Sequence, residues 1–207
     1  LNNIHVILNG VKKMEKTVSF DEVKSNIESI KRDNNTIIFM NLARIFPQKN
    51  QLMLVNVFNR IISEGYNVKL IVVGHNTTEY GNLVKNKSGQ GIYFYGVVEN
   101  PEDYIIISDV MCLSSMHEGL PLSIIEGMSF GKYSISTPAG GIPDIISNQD
   151  LGIVSESFSE KSYYDAVIKS ISLFITKKRN NSLIKKYYLD NFTLNQMVKN
   201  YLKLYGI

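Results

Sequence analysis

Glu118 and Glu126 stand eight positions apart in the stretch Ser115-Met-His-Glu-Gly-Leu-Pro-Leu-Ser-Ile-Ile-Glu-Gly-Met128. Pro121 suits the first helical position, where its missing N–H removes nothing, and Leu122, Ile124, Ile125, Met128 and Phe130 supply the apolar positions of a helix. Glu118 then lies on a loop and Glu126 inside the helix. The amides of Gly119, Leu120 and Leu122, grouped around Pro121, form a helix N-terminus that attracts an anion by about 0.3 to 2 kcal/mol. A carboxylate on each side of an anion site makes chemical sense when the ligand is a phosphate flanked by sugars. Hydroxyls donate to the carboxylates while the amides take the phosphate oxygens. A nucleotide-diphosphate sugar has that composition. The competing reading makes Glu118 a helix cap and Glu126 a solvated surface residue.

Arg44 and Lys49, five positions apart across the Pro47 turn, follow the apolar run from Ile37 to Leu42. Taken singly, each reads as a surface charge. Two cations converging on one loop would clamp a diphosphate through charge-assisted hydrogen bonds of about 1.5 to 3 kcal/mol each. The three histidines, His5, His75 and His117, are far apart and lack ligand spacing, so no metal site is expected. His117 beside Glu118 and His75 after Gly74 read as loop residues rather than as an acid or base.

The elements that must position these residues alternate along the chain. Apolar runs at 37–42, 68–73, 92–95, 110–114, 133–136 and 152–154 are separated by helical stretches, including one from Lys49 to Glu64 and the one opened by Pro121. Residues 159–206 read as three helical pieces. This pattern predicts an α/β, Rossmann-like, doubly wound parallel sheet with helices on both faces, whose ligands sit at the carboxyl ends of the strands. Arg44 and Lys49, Gly74, the Gly96-Val97-Val98 step and Glu118 all fall at such ends. Residues 4–11 read as a short strand ending in an Asn-Gly turn, and the Lys-rich segment 12–35 as a connector.

With these residues placed, the chain resembles the C-terminal, donor-binding half of a GT-B glycosyltransferase of family 4. The matching motifs are Arg44-x-x-x-x-Lys49, Ile71-Val-Val-Gly74, Phe94-Tyr-Gly96-Val97, Ser115-x-x-Glu118-Gly-x-Pro, Glu126-Gly-Met-Ser-Phe-Gly131-Lys132 and Gly140-Gly-Ile-Pro-Asp144. Phe130 and Tyr133 depart from the commoner small or proline residues, which bears on packing. The resemblance implies that Arg44 and Lys49 bind the diphosphate and steady the departing nucleotide, that Glu126 accepts the ribose hydroxyls, and that Glu118 faces the donor sugar. It further implies that Gly119, Leu120, Pro121 and Leu122 cradle phosphate or sugar, that Gly74 lines the site, and that backbone at Val97 and Val98 meets the base. Transfer with retention, a UDP-sugar donor, no cofactor and no metal are implied in the same way. So is a division into a connector (1–35), a nucleotide-sugar-binding domain (36–190) and a C-terminal helix (191–207) crossing toward an absent N-terminal domain. That domain would bring a glycan or lipid-linked acceptor.

Composition sets outer bounds. Of 207 residues, 44% are hydrophobic and 20% charged, ordinary globular values. The single cysteine, Cys112, sits in an apolar run and supports no disulfide framework, so a reducing, cytoplasmic compartment is expected. The chain opens on Leu1, as a piece of a longer protein would. Residues 1–160 carry 13 of the 22 basic and 17 of the 19 acidic side chains, leaving nine and two for 161–207. This basic end, with Lys177-Lys178-Arg179 and Lys185-Lys186, reads as a solvated helical face or as a peripheral contact with anionic lipid at the inner face of a membrane. No nucleic-acid partner is expected. A nicotinamide-dependent oxidoreductase lacks its Gly-x-Gly-x-x-Gly after the first strand, since Gly89-Gln-Gly91 sits on a polar loop. A non-catalytic nucleotide-sugar-binding module and a sugar-nucleotide epimerase remain as alternatives.

Overall fold

Strands buried on both faces read as unbroken apolar runs rather than as alternation, and the computed structural model has such strands at the expected places. It describes residues 5–176 and 180–206. Strands β1 (Ile37–Leu42), β2 (Val68–Val73), β3 (Ile92–Gly96), β4 (Val110–Leu113), β5 (Tyr133–Ser136) and β6 (Gly152–Val154) form one sheet in the order 3-2-1-4-5-6. Every pairing is parallel. The expected doubly wound α/β sheet is the observed one.

Helices cover both faces. On one side α2 (Gln51–Ser63) and α7 (Glu160–Ile175) pack on Ile37, Phe39, Leu70, Val72 and Ile135. On the other, α1 (Phe20–Ser29) and α4 (Pro101–Ile107) close over Ile38, Met40, Ile71 and Met111. The odd and even positions of β1 thus feed opposite layers, as the pleat requires. Helix α3 (Glu79–Lys87) lies beside α2, and α5 (Leu122–Ser129) packs on β4, β5 and α8 (Asn181–Asn191). A short helix α6 (Ile142–Ile145) follows β5. The amphipathic α9 (Leu194–Tyr205) ends the described chain with no buried residue.

Four local expectations are corrected. Among the described residues, 5–10 form no strand. Val11 alone makes a bridge, to Thr193, because this backbone runs along the α8–α9 junction, where Val11 N–H donates to Phe192 O at 2.8 Å. The Lys-rich segment 12–35 contains α1, hidden in the sequence because only Val23 and Ile27, four residues apart, bury its face. Helix α2 begins at Gln51 rather than Lys49, since a 3-10 turn (Pro47–Lys49) ends at Asn50 in the left-handed region (φ 50°). Pro121 is the N-cap of α5, one position before the first helical residue. The Lys177-Lys178-Arg179 cluster lies outside the described residues. No helix among those described is long and apolar enough to cross a membrane.

Candidate functional site

The strand order reverses between β1 and β4, and there the ladder stops early. Only Phe39–Val110 and Met40–Met111 pair, although both strands run further. Past that point the fully buried Asn41 bridges the strands with its side chain, donating from Nδ2 to Cys112 O at 2.8 Å. Where two strands diverge at a reversal of winding, the loops beyond their carboxyl ends bound a crevice.

The loop after β1 carries Arg44 and Lys49, and the loop after β4 carries Ser115 to Pro121. They are sewn together by hydrogen bonds from Ser114 Oγ to Lys49 O (2.7 Å), Met116 N to Gln48 O (2.8 Å) and Gln48 Nε2 to His117 O (2.9 Å). At the seam, Lys49 Nζ lies 2.6 Å from Glu118 Oε1, and Ser115 Oγ donates to the same oxygen at 2.6 Å. The Glu118 side chain is only 8% exposed and that of Lys49 25%. The two residues expected on opposite parts of a donor are therefore each other's partners. The Arg44 guanidinium lies over the Phe46 ring, 4.8 Å from its centroid. Among the described residues no carboxylate pairs with it.

Glycines bring these loops close. Gly140 has φ +54°, and a Cβ there would stand 1.8 Å from Glu118 O, so only glycine lets the loop after β5 lie on the Glu118–Gly119 backbone. Gly141 N–H donates to Gly119 O at 3.2 Å in the same contact. Gly74 plays the equivalent part behind Arg44: its absent Cβ would meet Ala43 O at 2.0 Å, and its N–H donates to Gly96 O at 2.7 Å. Gly74 and the end of β3 therefore back the cationic loop. Among the described residues no acceptor meets the amides of Gly119, Leu120 or Leu122, and Pro121 gives α5 no side-chain cap. These are the unpaired donors an anion would take.

Glu126 is half-buried in α5, and no donor meets its carboxylate among the described residues. Burial first, and the Glu102 carboxylate of α4 second, raise its pKa above the ordinary glutamate value. A carboxylate so placed gains from neutral hydroxyl donors, which relieve desolvation without adding charge. Val97 is 73% exposed on the β3–α4 loop, while Val98 is half-buried against the α1 and α4 layer. His117 is exposed and contributes its carbonyl, and His75 Nε2 lies 2.9 Å from Thr77 Oγ1.

Two residues that sequence reasoning missed hold this arrangement. Gln51, fully buried, donates from Nε2 to Arg44 O (3.0 Å) and accepts from Phe46 N–H (3.3 Å). Asp103, also buried, accepts from Thr17 N (2.9 Å), Thr17 Oγ1 and Asn100 Nδ2 (2.9 Å), tying the segment before α1 to the foot of the β3–α4 loop. No motif marks either residue; a polar side chain at a helix start is the sole sequence signal. A cavity of about 320 Å³ adjoins the site, lined in part by Gly119, Leu120, Gly141 and Asp144. A larger one of about 660 Å³ lies at the opposite end of β1, beside Ile37.

Comparison with known proteins agrees with this fold. The family described as "Glycosyl transferases group 1" matches residues 22–188. The chain is 26% identical to the UDP-Gal:alpha-D-GlcNAc-diphosphoundecaprenol alpha-1,3-galactosyltransferase of Escherichia coli, over 80% of this chain and 44% of that protein. It is 28% identical to the capsular polysaccharide biosynthesis glycosyltransferase CapH of Staphylococcus aureus, over 92% of this chain and 54% of that one. In fold it is similar to a glycosyltransferase from Rickettsia africae, with a TM-score of 0.86 at 21% identity over 99% of this chain and 57% of that structure. The chain spans about half the length of the curated relatives it matches.

Proposed function

Because the chain belongs to the group 1 glycosyl transferases, we propose that the crevice beyond β1 and β4 binds a nucleotide-diphosphate sugar, with UDP as the nucleotide. The observation that carries this is the Lys49–Glu118 pair at the strand reversal, with Arg44 on the same loop as Lys49 and the open α5 amides following Glu118 in the chain. On donor binding, Lys49 exchanges the Glu118 carboxylate for diphosphate oxygens, and Glu118 turns its freed acceptor to the sugar hydroxyls. Glu126 takes the ribose hydroxyls, and the β3–α4 backbone at Val97 and Val98 meets the base. As the glycosidic bond to the diphosphate breaks, negative charge grows on the leaving oxygen. Arg44, Lys49 and the Gly119 to Leu122 amides stabilise it without reorganising. The acceptor hydroxyl attacks the oxocarbenium-like sugar from the face the diphosphate leaves and passes its proton to the departing phosphate oxygen, so configuration is retained.

The whole protein's reaction is transfer of that sugar to a glycan or lipid-linked acceptor in surface polysaccharide synthesis, a reading supported by the names of the two bacterial relatives. Since this chain spans about half their length, it is proposed to bind donor without turning over alone, the acceptor being held by the other half. The exposed Lys185 and Lys186 of α8 are proposed to meet anionic lipid at the cytoplasmic face of a membrane.

The test is thermal denaturation of the 207-residue chain with UDP, GDP, ADP and CMP. Ligand at 100 times its Kd adds about 2.7 kcal/mol, which a melting curve resolves. A UDP-selective shift, lost in Glu126→Ala and kept in His117→Ala, is expected. The reverse pattern sinks the site assignment, and sugar transfer by the purified chain would overturn the division of labour.

A further inference from the structure

Phe46 leaves 41% of its surface in water although it sits between the two cations of the site. The local pattern explains its direction. Arg44 and Phe46 are exposed and Ile45 is fully buried, the alternation of an extended segment with one face on the core, in which residues two apart share a side. Two constraints hold the backbone extended. Phe46 precedes Pro47, whose ring disfavours the helical region for the residue before it, and it adopts φ −153°, ψ 149°. The buried Gln51 carboxamide clips the carbonyl of Arg44 and the N–H of Phe46 into one frame. The guanidinium then has a ring face beneath it at 4.8 Å.

We propose that Phe46 is a positioning residue for Arg44, holding the guanidinium at the crevice mouth so that it meets diphosphate oxygens without first losing the freedom of a long exposed side chain. The inference rests on the donor-site reading given above. An arginine on the surface samples many rotamers, and ordering them opposes binding. The negative face of an aromatic ring restrains the cation without neutralising it, unlike the carboxylate that occupies Lys49. Arg44 is therefore the cation that an arriving anion meets first. A leucine at position 46 would cover comparable apolar surface but offers no such face. A role limited to covering the loop would make leucine and tyrosine equivalent there.

The experiment is a titration calorimetry cycle on the 207-residue chain with UDP and with uridine, using Phe46→Leu, Phe46→Tyr, Arg44→Ala and the Phe46→Leu, Arg44→Ala double variant. Phe46→Leu is expected to weaken UDP about two- to five-fold and to leave uridine, which brings no charge for Arg44, unchanged. Phe46→Tyr restores the affinity. In the Arg44→Ala background the Phe46→Leu effect disappears, as coupling of the two requires. Equal weakening of UDP and uridine, a tyrosine no better than leucine, or an effect that persists without Arg44 would each overturn the proposal. A wild-type chain that binds UDP and uridine equally, or neither, overturns the donor-site reading and this inference with it.

Discussion

Gly140→Ala separates a backbone role from a side-chain role at the site. A Cβ at this position would stand 1.8 Å from Glu118 O, where contacts below 3.0 Å are essentially never seen. The Glu118–Gly119 backbone must therefore retreat by more than about 1 Å, a displacement of the size that spoils alignment of reacting groups. The left-handed conformation, φ +54°, adds about 1 to 2 kcal/mol for a residue with a Cβ. In a chain of this length that corresponds to a fall in Tm of about 2 to 8 °C. Retreat of the loop also withdraws the Gly119 and Leu120 amides. Loss of one charge-assisted hydrogen bond, about 1.5 to 3 kcal/mol, weakens UDP roughly 10- to 100-fold. Gly119→Ala is the matched control, since its Cβ would meet nothing within 4 Å, and it is expected to melt within about 1 °C of wild type. Calorimetric titration and thermal melts of the three proteins decide the matter. Wild-type UDP affinity in Gly140→Ala, or an equal loss in Gly119→Ala, would refute the claim that the contact of the two loops shapes the anion site.

Two further outcomes follow from carboxylates in unlike surroundings. Burial, and then Glu102, hold the Glu126 pKa up, so its ionised form costs stability as pH rises from the ordinary carboxylate value, about 4.3, through the raised one. Glu126→Gln should therefore melt higher than wild type at pH 7.5 and equal to it near pH 4 while binding UDP poorly, and a variant that melts lower at pH 7.5 contradicts this. For Asp103 burial alone would raise the pKa, but hydrogen bonds from Thr17 and Asn100 outweigh it and hold the carboxyl low. Its stabilisation is thus present above about pH 3.9 and is lost as pH falls through the lower folded value. Asp103→Asn should cost about 1.5 to 3 kcal/mol at pH 7, or about 3 to 12 °C in Tm. The deficit narrows toward pH 3, and one that widens in acid would reverse the sign argued for this group.

The strands were legible because a parallel sheet buries both faces. Ile37–Leu42 and Val68–Val73 could be bounded from apolar runs alone. The placing of Arg44, Lys49 and Glu118 beyond strand ends and of Glu126 inside a helix was legible from the same alternation. Pairing was not. The 2.6 Å contact of Lys49 with Glu118 spans 69 residues, and nothing in either segment says that the cation meets the carboxylate. Helix α1 escaped notice because two buried residues in ten leave too thin a stripe to stand out among lysines. Gln51 and Asp103 escaped because buried polar residues that organise loops have no spacing of their own; their partners, Arg44, Phe46 and Thr17, are fixed by tertiary contact.

If the crevice takes a diphosphate as proposed, the engagement of Lys49 by Glu118 would set a threshold that a lone inorganic anion has to cross. Orthophosphate must wrest the ammonium from a carboxylate seated 2.6 Å away and braced by Ser115, and it brings a single phosphate to the contest. On the same reading, a pyrophosphate-linked molecule would grip Arg44 with one phosphate while the other displaces the glutamate. On the donor-site reading, Glu118 competes for Lys49 with any ligand phosphate, and a ligand with two phosphates would have a second hold, at Arg44, from which to displace it.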